Sequence, residues 1–311
     1  QKLEKYMADF KTKYTDEEIE ESCDSSKKES GFHPLIHQEL VKQYLNSVSP
    51  YRGLLFYHGL GSGKTCSSIG IIEAMKTTYS KIFILTPASL KKNYITQLKF
   101  CGTEIFKDNL KNWEYVNYPN DATFNDFINE VSILTNLPKD YLLSKKDRGI
   151  FLFRKDPLPE NSPITIDVKK LNIQIEEMIK NRFHFISYNG ISEKKWKTNY
   201  KQEDETINIF DNSVIIIDEA HNFVNRIINK LNNNKTSIST ILYKEIIEAE
   251  NCRVVLLSGT PLINYPCELG VLFNLIGGTN CCIEIKCHHK DSSKKSLKAF
   301  KEALSELNTI D

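Results

Sequence analysis

The stretch Gly53-Leu-Leu-Phe-Tyr-His-Gly-Leu-Gly-Ser-Gly-Lys-Thr65 constrains this chain more than any other. Leu54 to Tyr57 is a short apolar run with the length and composition of a buried strand. It feeds a turn holding Gly59, Gly61 and Gly63, and the residues after Lys64-Thr65 read as a helix to about Met75. Glycines let backbone N–H groups curl around phosphates, and a helix N-terminus adds partial positive charge. Lys64 then reaches the terminal phosphates, and the Thr65 hydroxyl suits Mg²⁺. His58 stands where the general phosphate-loop pattern has glycine, but the core Gly61-x-Gly63-Lys64-Thr65 is intact. A chance glycine turn ahead of a helix explains the strand context less well. The expected nucleotide contacts are Gly59, Gly61, Ser62, Gly63, Lys64, Thr65 and Cys66.

Composition narrows the class. The 311 residues suffice for one large domain or two modest ones, and 40% hydrophobic residues supply a sizeable core. A net charge of +1 means that any basic surface is local. The eight cysteines are scattered, with Cys66 and Cys252 in or beside core segments, so reduced intracellular thiols are expected. No run approaches the apolar length of a membrane span, and no membrane partner is expected. The start, Gln1-Lys-Leu-Glu-Lys5, is neither a signal peptide nor a methionine start, which fits a fragment of a longer protein.

Residues 1–31 are strongly charged and read as a solvated leader. The segment from Phe32 leads into a helix with Leu40, Val41, Tyr44 and Leu45 at helical spacing. Gln38 lies at its start, and a glutamine amide can both donate to and accept from an adenine edge. Lys81–Leu85 reads as a second buried strand ending in Thr86-Pro87-Ala88-Ser89, with Ser89 placed to cap a helix from Leu90. Trp113–Tyr118 reads as a strand, and Phe124–Leu137 and Val168–Lys180 as helices. Between them Lys145, Lys146, Arg148, Phe151, Phe153, Arg154 and Lys155 interleave bases with aromatics. That pattern suits single-stranded nucleic acid, but periodicity favours an exposed hairpin with one buried face.

Phe183–Ser187 is a third strand signal, followed by the turn Tyr188-Asn189-Gly190. The basic–aromatic cluster Lys194–Lys201 follows. Val214–Ile217 is fully apolar and ends in Asp218-Glu219-Ala220-His221, and Arg253–Leu257 ends in Ser258-Gly259-Thr260. From Gly277 the chain is polar and basic, and the spacings among Cys281, Cys282, Cys287, His288 and His289 are not those of a zinc knuckle or finger.

Five short apolar strands alternating with helices predict an α/β fold, a three-layer P-loop NTPase domain with a mainly parallel sheet. Ligands of such sheets sit at the carboxyl ends of the strands. The glycine loop, Thr86, Tyr188, Asp218-Glu219 and Ser258–Thr260 all follow strand ends. Asp218 is the expected Mg²⁺ partner of Thr65, and Glu219 the base that polarises the attacking water. His221 is expected near Ser258 and Thr260, linking the nucleotide to neighbouring loops. An arginine finger, commonly worth roughly 10³–10⁵ in rate, has no candidate after Arg253. It must come from outside the sequence.

Taken in order, Gly59–Thr65, Thr86–Leu90, Asp218–His221 and Ser258–Thr260 resemble motifs I, Ia, II and III of superfamily 2 helicases and translocases, the second acid motif in its DEAH-box form. The stretches Leu54–His58, Ser187–Ser192 and Leu257–Asn264 with Glu268-Leu269 are similar to SNF2-related ATPases of large DNA viruses. The resemblance covers residues 33–105 and 182–276. It implies a RecA-like domain over 32–276 with an inserted segment at about 103–181, and a linker over 277–311 toward a second RecA-like domain that carries the finger. It implies ATP and Mg²⁺, with Gln38 at the adenine and Lys64, Asp218, Glu219 and His221 at the chemistry. Thr86, Pro87, Ala88, Ser89, Tyr188, Asn189 and Gly190 would hold nucleic acid, DNA before RNA, with Ser258, Gly259 and Thr260 coupling the two sites.

For Lys194–Lys201 the resemblance leaves a nucleic-acid or partner contact and a solvated loop equally open. The function implied is ATP-driven movement on nucleic acid in a large-virus transcription apparatus, in the cytoplasm or the virion, with RNA polymerase as a candidate partner. Two alternatives are a nucleotide-dependent transcription factor that grips DNA and polymerase without unwinding, and the motor of a restriction-type enzyme. A chain holding the first motor domain alone is expected to bind ATP–Mg²⁺ and hydrolyse it slowly.

Overall fold

The computed structural model describes residues 35–46, 48–59, 63–120, 122–145, 149–157, 159, 166–200, 207–231 and 237–278. The expected leader lies outside them, as do Gly61 and Ser62 of the glycine loop, Lys146 and Arg148, and the cysteines and histidines from Cys281 to His289.

The chain opens with α1 (Ile36–Tyr44), β1 (Gly53–Tyr57), α2 (Lys64–Met75), β2 (Lys81–Leu85) and α3 (Lys91–Cys101). It continues through β3 (Trp113–Val116), α4 (Phe124–Thr135), α5 (Lys139–Leu143), β4 (Ile150–Phe153), α6 (Val168–Arg182), β5 (His184–Ile186) and α7 (Glu193–Tyr200). It then runs through β6 (Ser213–Ile217), α8 (Ala220–Leu231), α9 (Ile238–Glu248), β7 (Arg253–Ser258) and α10 (Cys267–Gly277). No described helix is long and apolar enough to cross a membrane.

Five strands form one sheet in the order β1-β7-β6-β2-β5, and every pair is parallel. The run Ile215–Ile217 is apolar at every position because both faces of the sheet are covered. Ile82, Ile84, Val214, Ile216, Val255 and Leu257 join one core with Ile69, Ile72 and Met75 of α2. Their neighbours Phe83, Leu85, Ile215, Ile217, Val254 and Leu256 join the other with Phe223, Val224 and Ile227 of α8. Alternation along a strand thus serves two cores, and the α/β three-layer arrangement follows. With all five strands parallel, all five carboxyl ends lie along one edge.

Arg52, just before β1, ties down the opposite edge. Its guanidinium donates to the carbonyls of Leu275 at 2.7 Å and Ile246 at 2.6 Å. These are carbonyls in the last turns of α10 and α9, where few helix N–H groups remain to bond them; the Ile246 carbonyl takes only the Ala249 cap N–H at 3.4 Å from its own helix end.

Between α3 and α6 the chain builds a two-stranded antiparallel ribbon, Trp113 opposite Phe153 and Val116 opposite Ile150. Ile150 and Phe151 are buried and Arg154 is paired on the surface with Glu114 at 2.9 Å. Ile150 and Phe151 are consecutive and point to opposite faces, so the ribbon is covered on both sides at that point and not on the single face that the periodicity suggests. Gln174 of α6 acts as a strand substitute beside β4, accepting from the Phe151 N–H at 3.0 Å and donating to its carbonyl at 2.7 Å.

Three expectations need correction. Ser89 does not cap the following helix, which begins at Lys91 with Leu90 as N-cap and no side-chain cap bond. Cys66 and Cys101 are joined in a disulfide, not held as thiols, because α2 and α3 pack side by side and bring their Cα atoms to 5.7 Å. Lys194–Lys201 is largely the helix α7, and its Trp196 is 1% exposed, stacked on Tyr200 at 4.7 Å. Hydrophobic packing consumes that aromatic, and Lys194, Lys195, Lys197 and Thr198 face solvent, with Lys201 outside the described residues.

Candidate nucleotide site at the strand ends

The glycine loop closes onto α2 through Gly63, which sits at φ +75° in the left-handed region. Glycine takes that conformation without steric penalty. A Cβ there would also run into the Gln38 amide, which would have to shift and give up its bond to the Gly63 carbonyl. Gln38 is 6% exposed. Its Oε1 accepts from the Leu35 N–H at 3.0 Å and its Nε2 donates to the Gly63 carbonyl at 3.3 Å. The glutamine expected at an adenine edge is thus also a strut of the loop.

Lys64 Nζ donates to the carbonyls of His58 and Gly59, each at 2.9 Å, so the ammonium is held inside the loop. His58, with its ring 5.6 Å from that of His37, has its pKa lowered first by burial and then by the charges of His37 and Lys64. The loop after β7 approaches the same lysine: a Cβ on Gly259 would lie 3.8 Å from Lys64 Nζ. The N-terminal N–H groups of α2 and this ammonium form an anion-receptive set.

Two strands away, β6 delivers Asp218 and Glu219. Thr86 Oγ1 donates to Asp218 Oδ2 at 3.3 Å, and the Glu219 N–H donates to Oδ1 at 3.1 Å. Burial, and after it the Glu219 charge, pushes the Asp218 carboxyl up to about 6, against the pull of the Thr86 bond and Lys64. A shielded carboxylate with lone pairs to spare beside a hydroxyl and an ammonium fits a hard divalent cation and its phosphate partner. Glu219 has φ +49°, a conformation that costs a non-glycine residue roughly 1 kcal/mol. Strain of that kind aims a side chain.

His221 lies one turn on, with Nδ1 3.0 Å from Ser258 Oγ and 3.4 Å from Glu219 Oε2. Ser258 Oγ also accepts from the Thr260 N–H at 3.1 Å. The strands carrying the acid pair and the Ser-Gly-Thr loop are thereby joined through one imidazole, as the sequence led us to expect. Thr65 and Cys66 lie in the first turn of α2, and the Cys66 sulfur belongs to the disulfide.

Among the residues expected at nucleic acid, the structure separates two groups. Thr86 is 0% and Tyr188 1% exposed. Thr86 binds Asp218, and the Tyr188 hydroxyl donates to the carbonyls of Asp218 at 3.2 Å and Glu219 at 3.3 Å. Both side chains serve the acid strand, not the surface. Pro87 is buried too, while Ala88, Ser89, Asn189 and Gly190 are exposed. The two loops are pinned together where the Ala88 N–H donates to Asn189 Oδ1 at 3.0 Å.

Sequence reasoning missed Asn222, Asn225 and Arg226, which line a cleft of about 280 Å³ with Pro87, Tyr188 and Asn189. Their i, i+3, i+4 spacing on α8, opposite the buried Phe223 and Val224, was the available signal. Among the described residues no group of three or more His, Cys, Asp or Glu side chains converges as a metal site.

The family model described as "Type III restriction enzyme, res subunit" matches residues 35–263. Two proteins of Acanthamoeba polyphaga mimivirus, each named "Putative ATP-dependent RNA helicase", are 28% identical over 244 and 242 residues, 77% and 78% of this chain. A "Termination factor NPH-I homolog" of African swine fever virus is 25% identical over 230 residues, 73% of this chain. The chain spans 22%, 32% and 22% of the length of these three relatives. Among solved structures, a Sulfolobus solfataricus SWI2/SNF2 ATPase core in complex with double-stranded DNA aligns over 77% of this chain and 32% of its own. That likeness, at 14% identity and a TM-score of 0.33, is too slight to build on.

Proposed function

The chain belongs to the family of the type III restriction enzyme res subunit, with the motif set of a superfamily 2 helicase N-terminal domain, and on that premise we propose that it is the ATP-binding motor domain of a nucleic-acid helicase or translocase. One observation carries the reading. The glycine loop, the Ser-Gly-Thr loop and the Asp-Glu pair end three adjacent parallel strands, with Lys64 reached by the first two and Asp218 within the field of Lys64.

The roles follow from the contacts. Lys64 exchanges its loop carbonyls for phosphate oxygens, and the α2 N-terminus receives the same charge. Thr65 and Asp218 would hold Mg²⁺, which would supply charge neutralisation to the phosphates. Glu219 takes a proton from the attacking water. His221 and Ser258 report the state of the acid pair to the loop after β7. Thr86 and Tyr188 transmit it to the loops after β2 and β5, whose exposed Ala88, Ser89, Asn189 and Gly190 face the nucleic acid. The finger comes from a second RecA-like domain.

The relatives' names support movement on nucleic acid and differ on its setting. The African swine fever virus homologue is named for termination, which favours a transcription apparatus and RNA polymerase as partner. The mimivirus names favour RNA.

ATP turnover with duplex DNA, single-stranded DNA and RNA, using Lys64→Ala as the blank, tests the proposal. The domain should bind ATP–Mg²⁺ and turn it over slowly. Failure to bind ATP, or binding unaffected by Lys64→Ala, would overturn it.

A further inference from the structure

We propose that Tyr94 is a positioning residue for the divalent cation: through Ser68 it fixes the turn of α2 that carries Thr65, whose hydroxyl would hold Mg²⁺. The proposal rests on the motor reading above and adds to it two residues that lie outside its motifs.

The two hydroxyls form one directed chain. Ser68 Oγ lies 2.7 Å from the Thr65 carbonyl and 2.8 Å from the Tyr94 hydroxyl. A carbonyl can only accept, so the single Ser68 proton goes to Thr65. The Tyr94 proton therefore goes to Ser68 Oγ. Burial raises the Tyr94 pKa; the Ser68 bond pulls it down, and the Asp218 charge adds a smaller upward push. The hydroxyl keeps its proton, and it sits near enough to the acid strand to feel the second residue expected at the cation.

Packing does not account for these hydroxyls. Ser68 and Tyr94 are both fully buried, and alanine and phenylalanine would fill their places without desolvating two polar groups. The Tyr94 ring meets Phe185 edge-on at 6.1 Å, a contact phenylalanine would keep. Serines inside a helix that bond back to the previous turn bend it. Ser67 does so as well, donating to the Gly63 carbonyl at 3.2 Å. The shape of this turn is therefore set by its hydroxyls, and Tyr94 orients one of them.

A second link leaves that role to the hydroxyl alone. The Cys66–Cys101 disulfide joins the same turn of α2 to the far end of α3. It keeps the two helices together whatever residue stands at 94. Loss of the Tyr94 hydroxyl thus changes the pose of the Thr65 turn and not the packing of α3 on α2.

The test is binding of a fluorescent ATP analogue to the chain, measured in Mg²⁺ and again in EDTA. The metal should tighten binding to wild type. Tyr94→Phe should weaken binding in Mg²⁺ about fivefold, the worth of one hydrogen bond, and leave the metal-free affinity unchanged. Ser68→Ala should show the same split. Because Tyr94 acts only through Ser68, the double variant should lose no more than Ser68→Ala alone. Leu98→Val loosens the same core one turn along α3 and should lower the melting temperature with the effect of Mg²⁺ kept.

Tyr94→Phe binding as wild type does in Mg²⁺, or losing equally in Mg²⁺ and EDTA, would overturn the positioning role alone. So would additive losses in the double variant, or a Leu98→Val chain that reproduces the split. Wild type that binds the analogue equally in Mg²⁺ and EDTA, or not at all, would instead overturn the motor reading beneath it.

Discussion

The Tyr188 hydroxyl, on the loop after β5, donates to the backbone carbonyl of Asp218 at 3.2 Å, across the strand end of β2 that separates their own strands. Burial raises the tyrosine's pKa, and the Asp218 and Glu219 charges add to the rise. The hydroxyl stays protonated, and its proton stays on those carbonyls. Tyr188→Phe keeps the ring against Phe223 and removes only the donor. Stability should fall by about 1–2 kcal/mol, the value of one buried hydrogen bond, with the Glu219 carbonyl still accepting the Asn222 N–H at 2.9 Å. Stimulation of ATP turnover by nucleic acid should fall by a larger factor than affinity for ATP. Equal losses in both would mean that the hydroxyl only supports the fold.

That contact marks the limit of what the sequence could tell. The five strands were legible because each is a short apolar run that needs cover on both faces, and parallel pairing then fixed where Thr86, Tyr188, Asp218 and Ser258 gather. The partners of Thr86 and Tyr188 were not legible, whereas the contact of His221 with Ser258 was. Tyr188 bonds to backbone carbonyls, which leave no mark in a sequence. Gln174 mimics a strand from within a helix, and Arg52 binds helix ends about 200 residues away. Trp196 misled because a basic–aromatic alternation is the same string whether the ring stacks on a base or on Tyr200.

The Cys66–Cys101 disulfide closes a loop across 35 residues. On chain-entropy grounds a closure of that length stabilises by about 3–4 kcal/mol. Reduction, or Cys101→Ser, should lower the urea midpoint and steepen the denaturant slope, because the unfolded chain freed of the bond is less compact. Alkylation under non-reducing conditions should label Cys267, which is exposed, ahead of the buried Cys252 and leave Cys66 and Cys101 protected. Rapid labelling of Cys101 in the untreated protein would show that the bond is not formed.

Glu268 is 2% exposed and accepts the Ile263 N–H at 2.7 Å and the Asn264 N–H at 3.2 Å. Burial alone would raise its pKa, but the backbone N–H bonds outweigh it and hold the carboxyl below its ordinary 4.5. The unfolded chain therefore binds the proton first as the pH falls. Its contribution is complete well above 4.5 and is lost as the pH drops through the folded-state value. Glu268→Gln should cost about 1–3 kcal/mol at neutral pH and flatten the acid limb of the stability curve. An acid limb unchanged by the substitution would assign that slope to other carboxylates.

Gly63 faces two separate obstacles to a side chain, and they can be measured apart. Its φ of +75° costs an alanine roughly 1–2 kcal/mol wherever it occurs. The approach of the Gln38 amide to a new Cβ is a second cost that exists only while Gln38 is there. Gly63→Ala should therefore destabilise by more than the backbone cost alone in wild type, and by about that cost in a Gln38→Ala background. The difference is the coupling energy of a double-mutant cycle. Since Gln38 also braces the Gly63 carbonyl, Gln38→Ala alone should weaken ATP binding even for triphosphates lacking adenine. If Gln38→Ala instead weakens ATP and leaves GTP or tripolyphosphate untouched, its work is at the base. The loop would then be braced from elsewhere, through the Ser67 N–H and hydroxyl that already reach the same carbonyl at 2.9 and 3.2 Å.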